Sequence, residues 1–248
     1  MCIRDSARGE QVVGGTVISS DPNMYCSMAN AGYDFLWIEM QHSPLTYQEV
    51  ARMIWACRDA PAIPFVRVPD ATAGDIQKAT DIGALGIIIP LVDTTEKIEA
   101  AVQYAHYPPM GVRSQGNGQY RALWGDDYRE SANENVMIVA MIEAPAGVGE
   151  VEEISAVEGV DVVMVESTDL GSFSGLQQGN ESYESMVEEV REATLAAGLA
   201  LGGPQAWRER DGFQFFQGPT DVNLLSLGVE RSLATLGSGI APIEGSEP

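Results

Sequence analysis

Eight short apolar runs, spaced about 25 residues apart, constrain this chain more than any other feature. They fall at residues 12–19, 35–39, 63–68, 85–92, 136–142, 160–165, 199–202 and 222–227. Each is rich in Val, Ile or Leu and bounded by Gly, Pro or polar residues, as strands buried on both faces are. Helical patterns separate them. Val50, Met53, Ile54 and Cys57 share one face. Asp93-Thr-Thr-Glu96 offers a cap ahead of the stripe Ile98, Ala101, Val102 and Ala105. Met186, Val187, Val190 and Ala197 form a third stripe, closed by Gly198. Eight strand–helix alternations in 248 residues predict a single-domain (β/α)8 TIM barrel over 11–236. An open doubly wound sheet fits less well, because no G-x-G-x-x-G follows the first run.

One spacing is double the others. Residues 107–135 intervene after the fourth strand and predict a long loop with an added helix over one barrel end. Residues 1–10 carry no periodic pattern and read as a non-native or disordered leader. Residues 237–248, rich in Gly, Ser and Pro, read as a flexible tail.

Charge excludes more than it identifies. With 36 acids against 14 bases the net charge is −22, which repels nucleic acid and anionic membrane. No apolar run approaches a bilayer's thickness. The three cysteines, Cys2, Cys26 and Cys57, show no metal-type spacing and no disulfide framework, which points to a cytoplasmic protein.

In a barrel the active site lies where strands end at their carboxyl side. The second run ends at Glu39-Met-Gln41-His42, the third at Arg67, the fifth at Glu143 and the sixth at Ser167-Thr168-Asp169. Glu143 and Asp169 would end consecutive strands, near enough to share one divalent cation. With no thiolate or histidine cluster, Mg²⁺ or Mn²⁺ suits them better than structural zinc. The bland alternative pairs either acid with Arg67 or Arg113. His42 is of the residue type suited to proton transfer near neutrality. His106 reads as a helix-end residue. The two lysines, Lys78 and Lys97, sit within helical patterns, which disfavours a Schiff-base mechanism.

The set EMQH at 39–42, FVRVP at 65–69, YPPMGVR at 107–113, MIE at 141–143 and STDL at 167–170 resembles the HpcH/HpaI aldolase family, over roughly residues 15–233. The resemblance implies a metal-dependent pyruvate aldolase that cleaves a 4-hydroxy-2-oxo acid to pyruvate, or a related 2-oxo acid, and an aldehyde. It implies Glu143 and Asp169 as ligands of Mg²⁺, Mn²⁺ or Co²⁺, and Arg67 as the group holding the enolate oxygen. His42 would be the base, with Asp81 its carboxylate partner. Gln41, Ser167 and Thr168 would contact the substrate. It further implies a homo-oligomer, hexamer or trimer, with an exchanged C-terminal helix, and a helix ahead of the first strand for which this chain offers no counterpart. Two motifs depart from the family pattern: Glu39-Met-Gln-His42 stands for D-x-E-H, and Glu166-Ser-Thr-Asp169 for G-P-x-D, whose Gly-Pro backbone helps cradle the substrate carboxylate. The alternatives are a hydroxyacyl-CoA lyase of the citrate-lyase type and a barrel that binds metal and 2-oxo acid without turnover.

Overall fold

A computed structural model describes residues 10–235. Its eight strands close into one parallel barrel in sequence order. The first half comprises β1 (Val12–Val17), α1 (Pro22–Ala29), β2 (Phe35–Glu39), α2 (Tyr47–Ala56), β3 (Ile63–Arg67), α3 (Ala73–Asp81), β4 (Gly86–Ile89) and α4 (Thr95–Ala105). Two helices of the insertion follow, α5 (Tyr120–Trp124) and α6 (Tyr128–Asn135). Next come β5 (Met137–Ile142), α7 (Pro145–Gly149), α8 (Val151–Ser155), β6 (Val162–Val165) and α9 (Ser167–Ser174). The last elements are α10 (Glu181–Ala196), β7 (Ala200–Pro204), β8 (Phe213–Thr220) and α11 (Asp221–Thr235).

Seven predicted strands occur within a few residues of their apolar runs. The eighth does not. Residues 222–227 belong to α11, and β8 is the alternating FQFFQ stretch before it. Capping explains the difference: Thr220 Oγ1 accepts from Asn223 N at 3.1 Å, and Asp221 accepts from Val222 N at 2.9 Å. A helix therefore starts where apolar content alone suggests a strand. The expectations for the leader, for a helix ahead of the first strand and for the tail fall outside the described residues.

Side-chain parity builds the barrel interior in layers. Phe35, Phe65 and Phe215 fill its floor, with ring centroids 4.6–6.0 Å apart. Gly14 pairs with Phe35 and Gly86 with Phe65, and an added Cβ at either glycine would lie 2.1 Å from the facing ring. Small opposite large lets the layer close. Two residues further along each strand come Trp37, Met141 and Met164, all buried. Two more bring the same inward face to Glu39, Glu143 and Glu166, and Arg67, two residues after Phe65, stands level with Glu39. Period-two alternation thus turns four ionisable groups into the mouth of an apolar barrel.

The insertion lies at the other end. α4 carries the chain back toward the strands' amino ends, and residues 107–135 stay there. Trp124 Nε1 donates to Gly83 O at 3.0 Å, and Gln119 Nε2 to Ile82 O at 3.2 Å. The expected added helix is two helices, both packed at the strands' amino ends.

Cys26 on α1 and Cys57 at the end of α2 form a disulfide, with Cα atoms 5.4 Å apart. This corrects the expectation of unpaired cysteines. Their 31-residue separation carries no signal until adjacent helices bring the two faces together. Among the described residues no helix is long and apolar enough to cross a membrane.

Candidate active site

Arg67 is the hub of the rim. It is buried, with Nη1 3.3 Å from Glu39 Oε2 and Nη2 3.3 Å from Glu143 Oε1. Strand register enforces the first pair, because Glu39 and Arg67 are direct neighbours on β2 and β3. The guanidinium Nε is buried without a hydrogen-bond partner. That leaves a buried donor of this cation unspent.

Glu39 also shapes the loop that carries the predicted base. Its Oε1 accepts the backbone N–H groups of Gln41 at 2.7 Å and His42 at 3.0 Å, and its Oε2 accepts the Trp37 indole N–H at 3.2 Å. The Ser43 hydroxyl donates to the Glu39 carbonyl. The loop is therefore pinned, while the His42 ring stays exposed on the rim. Gln41 is half-buried, and its side-chain Oε1 lacks a donor.

Glu143 is fully buried, one residue past β5. Besides Arg67 it accepts the Leu91 N–H. Leu91 adopts a left-handed φ of 49°, uncommon for a residue with a branched side chain, and follows Pro90 at the end of β4. Burial pushes the Glu143 carboxyl up to about 7; Arg67 and the Leu91 N–H oppose that shift, and the charges of Asp169 and Glu166 add to it.

The sixth strand ends earlier than the sequence suggests. β6 stops at Val165, and Ser167, Thr168 and Asp169 open α9. Glu166 takes the strand-end place level with Glu143, and Asp169, half-buried, lies in the first helical turn. Ser167 is buried, its carbonyl accepting from Tyr183 OH at 2.9 Å, and Thr168 is exposed.

Asp81 stands apart. It ends α3, which runs back toward the strands' amino ends, and it accepts from Arg113 Nη2 at 3.2 Å and Gln77 Nε2 at 2.9 Å. Within the chain it is the partner of Arg113, not of His42, because a barrel helix ends on the opposite rim from the strand before it. Arg113 is buried against three tyrosines, with its Cζ 4.5 Å from the Tyr107 ring. It is thereby removed as a counter-charge for Glu143. His106 caps α4 as expected, its Nδ1 2.7 Å from Val102 O, and burial lowers its pKa. Lys97 lies 3.1 Å from Asp70, and Lys78 lies over the Tyr47 ring.

The acids at the rim suit a hard cation. Glu39, Glu143 and Glu166 share the charge of Arg67, and Glu143 remains pushed upward despite that arginine, with Asp169 adding to the push. Among the described residues no three acidic, histidine or cysteine side chains gather closely enough to hold an ion alone. Two carboxylates plus solvent and substrate oxygens would be the donor set, a common one for Mg²⁺-like ions.

A parallel barrel that mounts acids, an arginine and a histidine at its strand ends is an enzyme framework for small oxygen-rich substrates. Residues 16–212 match the HpcH/HpaI aldolase/citrate lyase family. A hydroxypyruvate/pyruvate aldolase of Rhizorhabdus wittichii is 34% identical, the match covering 84% of this chain and 87% of that protein. A 2-keto-3-deoxy-L-rhamnonate aldolase of Klebsiella pneumoniae is 29% identical, covering 96% and 93%. The crystal structure of an HpcH/HpaI aldolase/citrate lyase family protein from Burkholderia cenocepacia superposes with a TM-score of 0.86 at 28% identity, covering 95% of this chain and 99% of that one. The chain belongs to the HpcH/HpaI aldolase/citrate lyase family. It is a carbon–carbon lyase of the aldolase type.

Sequence reasoning undervalued Glu39 and missed Leu91. Glu39 carried a readable signal, an acid closing an apolar strand two residues after an inward Trp. A left-handed Leu has none.

Proposed function

We propose that this chain is a divalent-metal-dependent aldolase that reversibly cleaves a 4-hydroxy-2-oxo acid into pyruvate, or a related 2-oxo acid, and an aldehyde. The observation that carries the proposal is the buried Arg67 between Glu39 and Glu143, with an unpartnered Nε, at the mouth of the barrel. The names of the relatives, hydroxypyruvate/pyruvate and 2-keto-3-deoxy-L-rhamnonate aldolases, favour pyruvate or hydroxypyruvate as the acid.

Cleavage needs a base for the 4-hydroxyl, a sink for the electrons released and a hold on the acid. Glu143 and Asp169 would hold Mg²⁺, Mn²⁺ or Co²⁺, which as a Lewis acid supplies the electron sink. Arg67 would place fixed positive charge where the enolate oxygen develops. His42 takes the 4-hydroxyl proton, its loop held still by Glu39 so that the ring alone needs to move. Gln41, Ser167 and Thr168 line the position of the acid. The acid surplus at the rim disfavours the CoA phosphates that a hydroxyacyl-CoA lyase would have to seat.

We infer that the chain assembles as a homo-oligomer. α11 supports the assembly: Val222, Leu225, Leu227 and Val229 are each 50–57% exposed on one helix, an apolar surface that exchange with a neighbouring copy would cover.

The test is pyruvate release from a racemic 4-hydroxy-2-oxo acid. Turnover abolished by EDTA and restored by Mn²⁺, Mg²⁺ or Co²⁺ is expected. Metal-dependent pyruvate binding without cleavage, and without exchange of its methyl protons into D₂O, would make the chain a binding barrel instead.

A further inference from the structure

The chemistry above makes no use of Glu166, yet the fold aims it into the site. Val162 and Met164 belong to the barrel interior, so parity turns Glu166 inward. Ile142 pairs with Val165, and Glu166 N donates to Ile142 O at 3.0 Å, which sets Glu166 beside Glu143 on the neighbouring strand. We propose that Glu166 is a specificity-determining residue whose carboxylate competes with the substrate's own carboxylate for the amino end of α9. The inference rests on the 2-oxo acid reading of the site.

Two observations carry it. First, Glu166 Oε1 already accepts the Thr168 N–H at 3.2 Å, within the first turn of α9. First-turn N–H groups are the natural seat of an anion. Second, the rim has no spare cation. Arg67 already shares its charge between two acids, one against each terminal nitrogen. An incoming carboxylate therefore meets a guanidinium already shared by two acids and a helix end occupied by a like charge. Burial holds the Glu166 carboxyl above its ordinary range, the Thr168 N–H and Arg67 oppose this, and Asp169 reinforces it, as for a charge seated at some cost.

Helix capping alone accounts for Glu166 poorly. Ser, Thr, Asp and Asn cap better, and Gly costs only a few tenths of a kcal/mol relative to them. A role as a third metal ligand is the rival, and metal affinity separates the two.

The experiment titrates pyruvate, and separately its neutral methyl ester, into Mn²⁺-loaded protein by calorimetry, for the wild type, Glu166→Gly and Glu166→Gln. Glu166→Gln keeps an acceptor for the Thr168 N–H and so controls for folding. Glu166→Gly should tighten pyruvate binding about tenfold, the scale of one charge-assisted hydrogen bond, with Glu166→Gln between it and the wild type. Methyl pyruvate and Mn²⁺ affinities should stay within about twofold across the set. Unchanged or weaker pyruvate binding in Glu166→Gly overturns the proposal, as does loss of Mn²⁺ affinity in Glu166→Gln, which would make Glu166 a ligand. Tightened pyruvate binding with no aldol cleavage in any of the three proteins would instead overturn the aldolase reading and leave this one standing.

Discussion

Arg67 Nη2 lies 3.3 Å from Glu143 Oε1, and both side chains are almost wholly buried. A cation and an anion withdrawn from water together stabilise a fold weakly, since desolvation cancels most of their attraction. Their value is in position. Replacing Arg67 by Ala should lower kcat by about 10²–10³-fold, as loss of a fixed donor at a developing oxyanion does. Lys at 67 should rescue little, because a point charge cannot span two acids on separate strands. Mn²⁺ affinity should hold or tighten in both variants, since Glu143 loses a competitor. Steady-state kinetics beside metal titration checks this; wild-type kcat in Arg67→Lys would remove the proposed role.

α11 leads to a prediction about assembly. Leu225 and Leu227 are 56% and 57% exposed in the single chain, so a charge there costs the isolated fold little. In an exchanged helix the same charge would be buried without a partner. The double variant Leu225→Glu, Leu227→Glu should shift the mass measured by light scattering from oligomer to monomer with barrel circular dichroism retained. An unchanged mass would show that α11 is not the interface.

How much of this was legible in the residues depends on the range of the interaction that decides each feature. The strands through β7 follow from local apolar runs, and Glu39, Arg67 and Glu143 follow from where those runs stop, whereas the sixth run pointed to Ser167–Asp169 and not to Glu166. Glu39, Arg67, Glu143 and Glu166 share an inward face because alternation is a period of two, which one chain displays by itself. Asp81 is different. Its partner depends on which way α3 runs relative to the rim, and that is a property of the closed barrel. Cys26 and Cys57 likewise meet only when α1 and α2 pack side by side. β8 was misplaced because residues 222–227 are apolar enough for either state, and the Thr220–Asn223 cap decides between them. The left-handed Leu91 is imposed by its surroundings, as strained positions near a site commonly are.

The barrel floor gives a stability prediction independent of function. Gly86 faces the Phe65 ring, and a Cβ there would stand 2.1 Å from it. Rigid rings on three strands leave no room to yield, since Phe35 lies 4.7 Å from Phe65 and 4.6 Å from Phe215. Gly86→Ala should cost at least about 1–3 kcal/mol by overpacking. Adding Phe65→Leu should recover part of that loss, because the two changes share one space. Urea midpoints of the four proteins in the cycle measure the coupling; additive effects would mean that the floor relaxes.

Asp161 yields the pH dependence. It precedes β6, and its Oδ2 accepts the Ile138 N–H at 2.8 Å, tying the starts of β5 and β6. Burial raises its pKa from 3.8 to about 6, with the Ile138 N–H opposing that rise. The folded state thus holds this proton more tightly than the unfolded chain. The favourable contribution is complete below pH 3.8, declines between there and about 6, and is gone above. Asn at this position keeps an acceptor for Ile138 and loses the titration. Asp161→Asn should therefore match the wild type near pH 3 and exceed it at pH 7, by no more than about 3 kcal/mol. Denaturant unfolding of metal-free protein from pH 3 to 8 makes the comparison. A variant less stable at pH 7 would show that the ionised carboxylate's hydrogen bond to Ile138 outweighs its burial.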